Sequence, residues 1–544
     1  MPRVSAAPTR ATAALTCALT LLALVGCGGG GGSGGAEAPP VVSAGAGCDV
    51  TYTLTDSPLL TGTDPLLERQ WHLRNTGQGG GTAGEDLRAI DAWATTRGAG
   101  VRVAVIDDAI EILHVDLKPN VVDRASRSYR PGNRGSQYPV PCVARVDDHG
   151  TAVAGLVLAR DDNGVGVAGV APRASLVAYD ALSSGTDADI ADALTRESGL
   201  NQIYQNSWGS PDDGRLHPAE NSFVAAIRNG IETGRDGKGS VFVFPGGNGG
   251  CYARDSGSGA CQVDNANFDG YVNRLGVIAA CAVDRSGRKP WYAEPGANLL
   301  VCGPSSGDAP DVTTTGLKGT YRDDFSGTSA STPMVTGVVA LMLAANPALT
   351  WRDVRLILAE SARRNDPTDA GWTSGPGGLP FNHKYGFGVA DAQAAVARAR
   401  NWTSVGGYAA MRTCVIAERA PGAALPDPAA DGTPVPVADS VVVSGCAITA
   451  IEFVELRLTA SHPYSGDLRV RLTGPAGTTS ELADARTCLV GSQPSVCGDY
   501  TNWSFGSVRH LGEAANGTWT LQVTDMVPID TGRLDRWSIV IHGR

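Results

Sequence analysis

At 544 residues the chain exceeds one ordinary domain and is long enough to bury one large core and a smaller one. Its formal charge of -11, pI near 5.3 and 18% charged residues exclude the basic stripe of a nucleic-acid binder, and they leave carboxylates available for cations and basic substrates.

Arg3 and Arg10 precede an apolar stretch, Ala13 to Val25, too short to span a bilayer as a mature helix, so it reads as a signal peptide. It ends Leu24-Val25-Gly26-Cys27, which resembles a bacterial lipobox; a plain cleavage site with an incidental Cys27 is the alternative. Gly28 to Gly35 is almost pure glycine, suited to a tether between a lipid anchor and a folded body. The expected organisation is a signal peptide with lipobox over 1–27, a Gly-rich tether over 28–56, a larger domain over 57–400 and a second domain over 401–544. The expected location is the bacterial cell envelope, or secreted if Cys27 is not lipidated. Setting aside Cys17 and Cys27 leaves ten of the twelve cysteines, an even number in a chain that reads as exported. Local spacing suggests Cys251 with Cys261, Cys281 with Cys302, Cys414 with Cys446 and Cys488 with Cys497, and elimination leaves Cys48 with Cys142. Other pairings are equally compatible with the sequence.

Ile90 to Trp93 reads as a short amphipathic helix. Val101 to Ile106 is a β-branched run with glycine upstream, the pattern of a strand buried on both faces of a parallel sheet, and it ends in Asp107-Asp108. Ligands in open α/β sheets sit beyond the carboxyl ends of strands, so these acids are functional candidates. His149 opens a small-residue helix. Ser329 lies where the Gly/Ser/Thr-rich turn 323–332 feeds a long apolar helix, with a positive field from the helix amino terminus. Pro333 suits the first turn of that helix. The chain order Asp, His, Ser is the order of the subtilisin triad.

With the strings VAVIDDAIEILHVDL, DDHGTAVAG, NSWGSPDDG, GSVFVFPGGNGG, FDGY, WYAE and SGTSASTP, residues 60 to 400 resemble the subtilisin-like serine proteases, and within them the kexin/furin branch. The resemblance implies an α/β fold, a three-layer catalytic domain around a parallel sheet. It implies Asp107, His149 and Ser329 as the triad and Asn248 as the oxyanion-hole amide. It further implies a substrate strand through Ser207, Trp208 and Gly209, with Asp212 and Asp269 selecting arginine or lysine before the scissile bond and Asp108 favouring a second basic residue. It implies Ca²⁺ as cofactor. Asp64, Asp116, Asn163, Val165 and Val167 would hold one ion, and Asp212, Asp255 and Glu294 another beneath the specificity pocket. The chain departs from the branch at Val146, where an acid is expected, and near Leu194, Thr195 and Pro218, so no basic requirement four residues before the bond is expected. No amino-terminal prodomain fits between Cys27 and Asp64, which leaves either a separate folding chaperone or folding without one.

From about Asn401 the pattern becomes period-two: Leu456 and Leu458, then Leu468, Val470 and Leu472, then Trp519, Leu521 and Val523, then Trp537, Ile539 and Ile541. With HPYSGDL, LTGPAGT and GTWTL these segments resemble the P domain of proprotein convertases, a jelly-roll-like all-β sandwich. Protein or peptide substrates with basic cleavage sites are the implied partners, with no nucleic acid. A broad-specificity protease with the same triad and a non-catalytic surface binding module are the rival readings.

Overall fold

The computed structural model describes residues 41–45, 47–53, 61–251, 253–254, 261–307, 311–491 and 493–544. The expected signal peptide and lipobox lie outside the described residues, as does the tether up to residue 40 and Asp255.

Six apolar runs form one parallel sheet: β1 Arg102–Ile106, β2 Ser175–Tyr179, β3 Ile203–Asn206, β4 Val241–Pro245, β5 Val277–Val283 and β6 Leu299–Pro304. Their order is β6-β5-β4-β3-β1-β2, and nearly every residue in them is buried, as unbroken apolar runs require when helices cover a sheet. The order reverses at β1, which pairs with β2 on one side and β3 on the other. Such a reversal opens a crevice at the carboxyl ends of the strands. Asp107 and Ser207 each follow one of the two strands that bracket it.

A short helix at Ala89–Ala92 overlaps the one expected at Ile90 to Trp93, and the longer helices are α1 His149–Leu158, α2 Asp187–Thr195, α3 Asn221–Thr233, α4 Thr328–Ala345, α5 Trp351–Ser361 and α6 Ala392–Arg400. Helix α4 packs on α1, α6 and strands β3 to β6, while α2 and α3 pack on each other. Although α4 is long and apolar enough to cross a membrane, 83% of it is buried in the protein, so it is the central core helix. A hairpin, β7 Val312–Thr315 and β8 Tyr321–Phe325, leads into α4. It is tied to α1 by the hydroxyls of Thr314 and Thr315, which donate to the carbonyls of Ala152 and Thr151 at 2.7 Å each.

The carboxyl-terminal part is a two-sheet antiparallel sandwich. Strands β9 Arg412–Val415, β10 Ala423–Leu425, β12 Ile451–Ser461, β15 Tyr500–Ser507 and β17 Gly532–Gly543 make one sheet. Strands β11 Pro436–Val443, β13 Leu468–Thr473, β14 Thr479–Ala483 and β16 Gly517–Asp525 make the other. Leu468, Val470 and Leu472 are buried between more exposed neighbours, as are Trp519, Leu521 and Val523, which is the alternation the sequence predicts. All five expected disulfides form.

The two parts share core. Phe268 and Ala297 of the sheet domain belong to the apolar cluster of the sandwich, and Phe453, Val508 and Leu511 of the sandwich join the larger cluster. Arg352 on α5, fully buried, makes a two-pronged pair with Glu452 at 2.8 and 2.6 Å, and Arg544 reaches the same carboxylate at 3.3 Å.

Candidate active site

His149 is the first residue of α1, and its Nδ1 lies 2.8 Å from Oδ1 of Asp107, just past the end of β1. Asp107 is 1% exposed, so its carboxylate fixes the ring and the tautomer from inside the protein while the other edge of the ring faces the crevice. Burial pushes the imidazole toward neutrality, but the charge and hydrogen bond of Asp107, followed by Asp108 and Asp148, outweigh it and raise His149 to about 9. Asp108 accepts from the amides of Ala109 (2.5 Å), Gly150 (2.9 Å) and His149 (3.3 Å). It therefore caps the amino end of the histidine helix, and burial together with Asp107 raises it to about 7.

Ser329 is the second residue of α4. Its hydroxyl donates to the Ser207 carbonyl at 3.3 Å, so the structure joins Asp107 to His149 and leaves the serine hydroxyl on the neighbouring strand end. Ser207 Oγ in turn donates to the Ser329 carbonyl at 3.0 Å. That carbonyl is free because of Pro333. The sequence places this proline in the first turn, but α4 begins at Thr328, so Pro333 is its sixth residue. There it lacks the N–H that would have bonded the carbonyl four residues back, and the Ser207 hydroxyl takes the vacated acceptor. The next residue, Trp208, donates from its indole to the Ile106 carbonyl at 3.0 Å, which links this strand end to the residue before Asp107.

Asn248 follows β4. Its Oδ1 accepts from the amide (2.8 Å) and hydroxyl (2.9 Å) of Thr328, which leaves the Nδ2 hydrogens for an acceptor beside Ser329. A carboxamide pinned by its oxygen is a preoriented donor.

Beyond Gly209 lies a narrow cavity lined by Asp212, Asp264, Asp269 and Glu294, with Arg215 and His217 among its other walls. Asp269 accepts from the amide (2.9 Å) and hydroxyl (3.0 Å) of Ser210 and the amide of Tyr271 (2.7 Å); burial raises its pKa. A side chain at Gly209 would meet Asp269 Oδ2 at 2.7 Å, so glycine keeps the strand against the acid. Asp212 is exposed and accepts from the Asn248 amide at 3.2 Å. Asp264 accepts from the amides of Gly214 (2.7 Å) and Asn265 (2.8 Å), and Glu294 accepts from that of Gly249 (2.8 Å). A Cβ on Gly249 would lie 2.5 Å from Asp264 Cβ, 3.0 Å from Glu294 Oε1 and 3.1 Å from Asp212 Cβ, so three acids converge on one glycine. Burial, and then mutual repulsion, raises Glu294 well above the carboxylate range; burial also raises Asp264 to about 7.

Asp264 is the residue the sequence reading missed. Among the described residues it joins Asp212 and Glu294 at Gly249, while the expected Asp255 lies outside the described residues. None of the strings that carry the resemblance contains Asp264, and its convergence with Asp212 and Glu294 on Gly249 is a tertiary feature.

On the far side of α1, Asp64 accepts from the amides of Asp162 (3.0 Å) and Asn163 (3.1 Å). Asp116 accepts from Asn163 Nδ2 (2.6 Å) and the Val167 amide (3.0 Å). Asn163 Oδ1 accepts from the Val165 amide at 3.0 Å. Both carboxylates are buried without a paired cation among the described residues; burial raises Asp64, and raises Asp116 to about 6. Both acidic clusters offer hard oxygen donors and no sulfur, the donor set of a Ca²⁺ site.

Residues 98–388 match the subtilase family and residues 451–541 match the proprotein convertase P-domain. The chain is 33% identical to neuroendocrine convertase 2 of Drosophila melanogaster, over 88% of this chain and 72% of that protein. It is 33% identical to human proprotein convertase subtilisin/kexin type 6, over 90% of this chain and 49% of that protein. Several of its curated relatives are longer, and the chain spans about half to three fifths of their length. The crystal structure of the serine protease of Aeromonas sobria superposes with a TM-score of 0.78 at 25% identity, covering 93% of this chain and all of that one. The same protease in complex with its chaperone gives 0.79 at 24% identity, covering 93% and 99%.

Proposed function

Because the chain belongs to the subtilase family and carries a proprotein convertase P-domain, we propose that it is a Ca²⁺-dependent serine endopeptidase that cuts peptide bonds after arginine or lysine. The observation that carries the reading is the Asp107–His149 pair at 2.8 Å beside a serine at the amino end of a buried helix, with Asn248 pinned by its oxygen.

Ser329 turns about its Cα–Cβ bond from the Ser207 carbonyl to His149 Nε2, gives up its proton to the imidazole and attacks the scissile carbonyl carbon. Catalytic hydrogen bonds of this kind often form only in the substrate complex. The freed Ser207 carbonyl becomes an acceptor for a substrate N–H. Asn248 Nδ2 and the Ser329 amide donate to the oxyanion, while Asp107 stabilises the imidazolium. His149 then protonates the leaving amine, the acyl-enzyme forms, and water completes hydrolysis by the reverse proton path.

Basic selectivity rests on Asp212 and Asp269, since carboxylates lining a narrow cavity favour a cationic side chain. Asp108, engaged with three amides, supports a weaker preference for a second basic residue. Asp64, Asp116 and Asn163 with the carbonyls of Val165 and Val167 would hold one Ca²⁺, and Asp212, Asp264 and Glu294 another. When bound, the ion supplies positive charge that fixes these carboxylates in their ionised form. We also propose export to the cell envelope through a lipid on Cys27, supported by the five disulfides and the lipobox-like string. A separate chaperone is proposed as well, in keeping with the chaperone complex of the Aeromonas protease.

The test is a panel of fluorogenic peptides that differ only at the residue before the bond, run with and without a chelator. Turnover confined to arginine and lysine and lost on chelation is expected. Equal rates for leucine or phenylalanine would favour the broad-specificity reading.

A further inference from the structure

One cation stands beside the candidate base and has no part in the mechanism above. Arg322, on β8, places Nη1 3.0 Å from Asp148 Oδ2 and Nε 2.6 Å from Asp324 Oδ1. Its guanidinium also lies over the Phe325 ring, 5.5 Å from the centroid. Phe325 in turn meets the His149 imidazole edge-on, with centroids 5.4 Å apart and planes at 62°. Asp148 is the residue immediately before His149 and the N-cap position of α1, although its side chain makes no capping bond. One guanidinium thus contacts both the carboxylate that precedes His149 and the aromatic ring that packs on its imidazole.

The charged groups around His149 are Asp107 and Asp108 from the turn after β1, Asp148 from α1, and Arg322 and Asp324 from β8; Arg145 also acts on Asp324. Among the described residues, Arg322 is the one cation paired with any of the three carboxylates that act on the imidazole. Arg322 and Asp148 are each 26% exposed in their side chains, which makes the pair less screened than an ion pair in open solvent.

We propose that Arg322 is a positioning residue for His149, clamping Phe325 against the imidazole and keeping the Asp148 carboxylate paired. The proposal rests on the protease reading for its kinetic consequence, but its geometric core does not. Without the cation, Asp148 stands as a bare anion next to the ring, stabilises the imidazolium and holds the base in its protonated form. Without the stacked guanidinium, Phe325 is free to leave the ring, and the imidazole gains room to turn away from Ser329.

The experiment pairs the pH profile of kcat/KM with an NMR titration of the His149 imidazole nitrogens in a Ser329→Ala background, assigned by His149→Gln. For Arg322→Gln, the acid limb and the imidazole titration should both move up by about half a pH unit, and plateau kcat should fall by about 3- to 10-fold with KM little changed. Arg322→Lys, which restores charge but not the planar stack, should return the titration while leaving part of the kcat loss. Adding Asp148→Asn to Arg322→Gln should bring the titration back to the wild-type position or below it. Asp148→Asn alone should lower it, which serves if Arg322→Gln does not fold. An unmoved titration in folded Arg322→Gln, or a shift that Asp148→Asn does not reverse, overturns the proposal. A moved titration in a protein that hydrolyses no peptide keeps the clamp and refutes the protease reading; hydrolysis with an unmoved titration does the opposite.

Discussion

Asn248 spends its carbonyl oxygen on Thr328 and keeps its nitrogen free, which is a requirement for a donor and useless for a purely structural cap. Asn248→Ala should therefore lower kcat about 10²- to 10³-fold with little change in KM and no loss of helix content by circular dichroism. At this scale the sequence was legible where a residue sits in a short string of uncommon chemistry. Asp107, His149 and Ser329 are each embedded in such a string, and the first two meet at bonding distance. Two things were illegible. The partner of the Ser329 hydroxyl depends on one side-chain rotation, which no pattern encodes. Asp264 was hidden because it lies in none of the strings that carry the resemblance, and its approach to Asp212 and Glu294 at Gly249 is a tertiary contact.

Among the elements, the turn after β4 is crowded with acids, because the backbone at Gly249 runs between Asp212, Asp264 and Glu294. Gly249→Ala should force those acids apart, cost about 1–3 kcal/mol in urea unfolding and weaken Ca²⁺ binding measured by calorimetry. Unchanged stability and affinity would mean that the three acids do not act as one group. The elements themselves followed from pattern: the β-branched run before Asp107 is a strand buried in a parallel sheet, and the apolar run after Ser329 is the core helix α4. The start of α4 did not follow. Its first turn is built from Thr328 to Ser331, residues whose side chains suit caps and turns as well as helices, so only the tertiary bonds to Asn248 and Ser207 set the boundary at Thr328.

Across the whole molecule, the sandwich braces the acidic cavity directly. Arg486 donates to the Gly214 carbonyl at 2.5 Å and stacks on Phe268, while the Leu489 amide donates to the Asp213 carbonyl at 2.9 Å. Sequence pattern announced the sandwich but not this contact, because Arg486 lies in irregular backbone and Leu489 in a three-residue strand too short for a periodicity to read. The cavity and the Asp64/Asp116 cluster also set the pH response. Asp64, Asp116, Asp264 and Glu294 all have folded pKa values raised by burial, so the folded state holds more protons than the unfolded one. Their contribution to stability is complete below the ordinary carboxylate range and is lost as pH rises through their raised values, about 6 for Asp116 and about 7 for Asp264. Thermal melts in chelator should therefore show a falling Tm across that window, and saturating Ca²⁺ should raise Tm most at its upper end. A chelated protein whose Tm rises through the same window would contradict the assignment of these acids.

The central claim is that His149 activates Ser329, and labelling by a fluorophosphonate followed by peptide mass mapping measures that step without any assumption about substrate. The expected result is a single adduct on Ser329 in the wild-type protein, abolished in Ser329→Ala and slowed at least about 10³-fold in His149→Ala. A folded wild-type protein that takes no label, or one labelled at the same rate after His149→Ala, would contradict it.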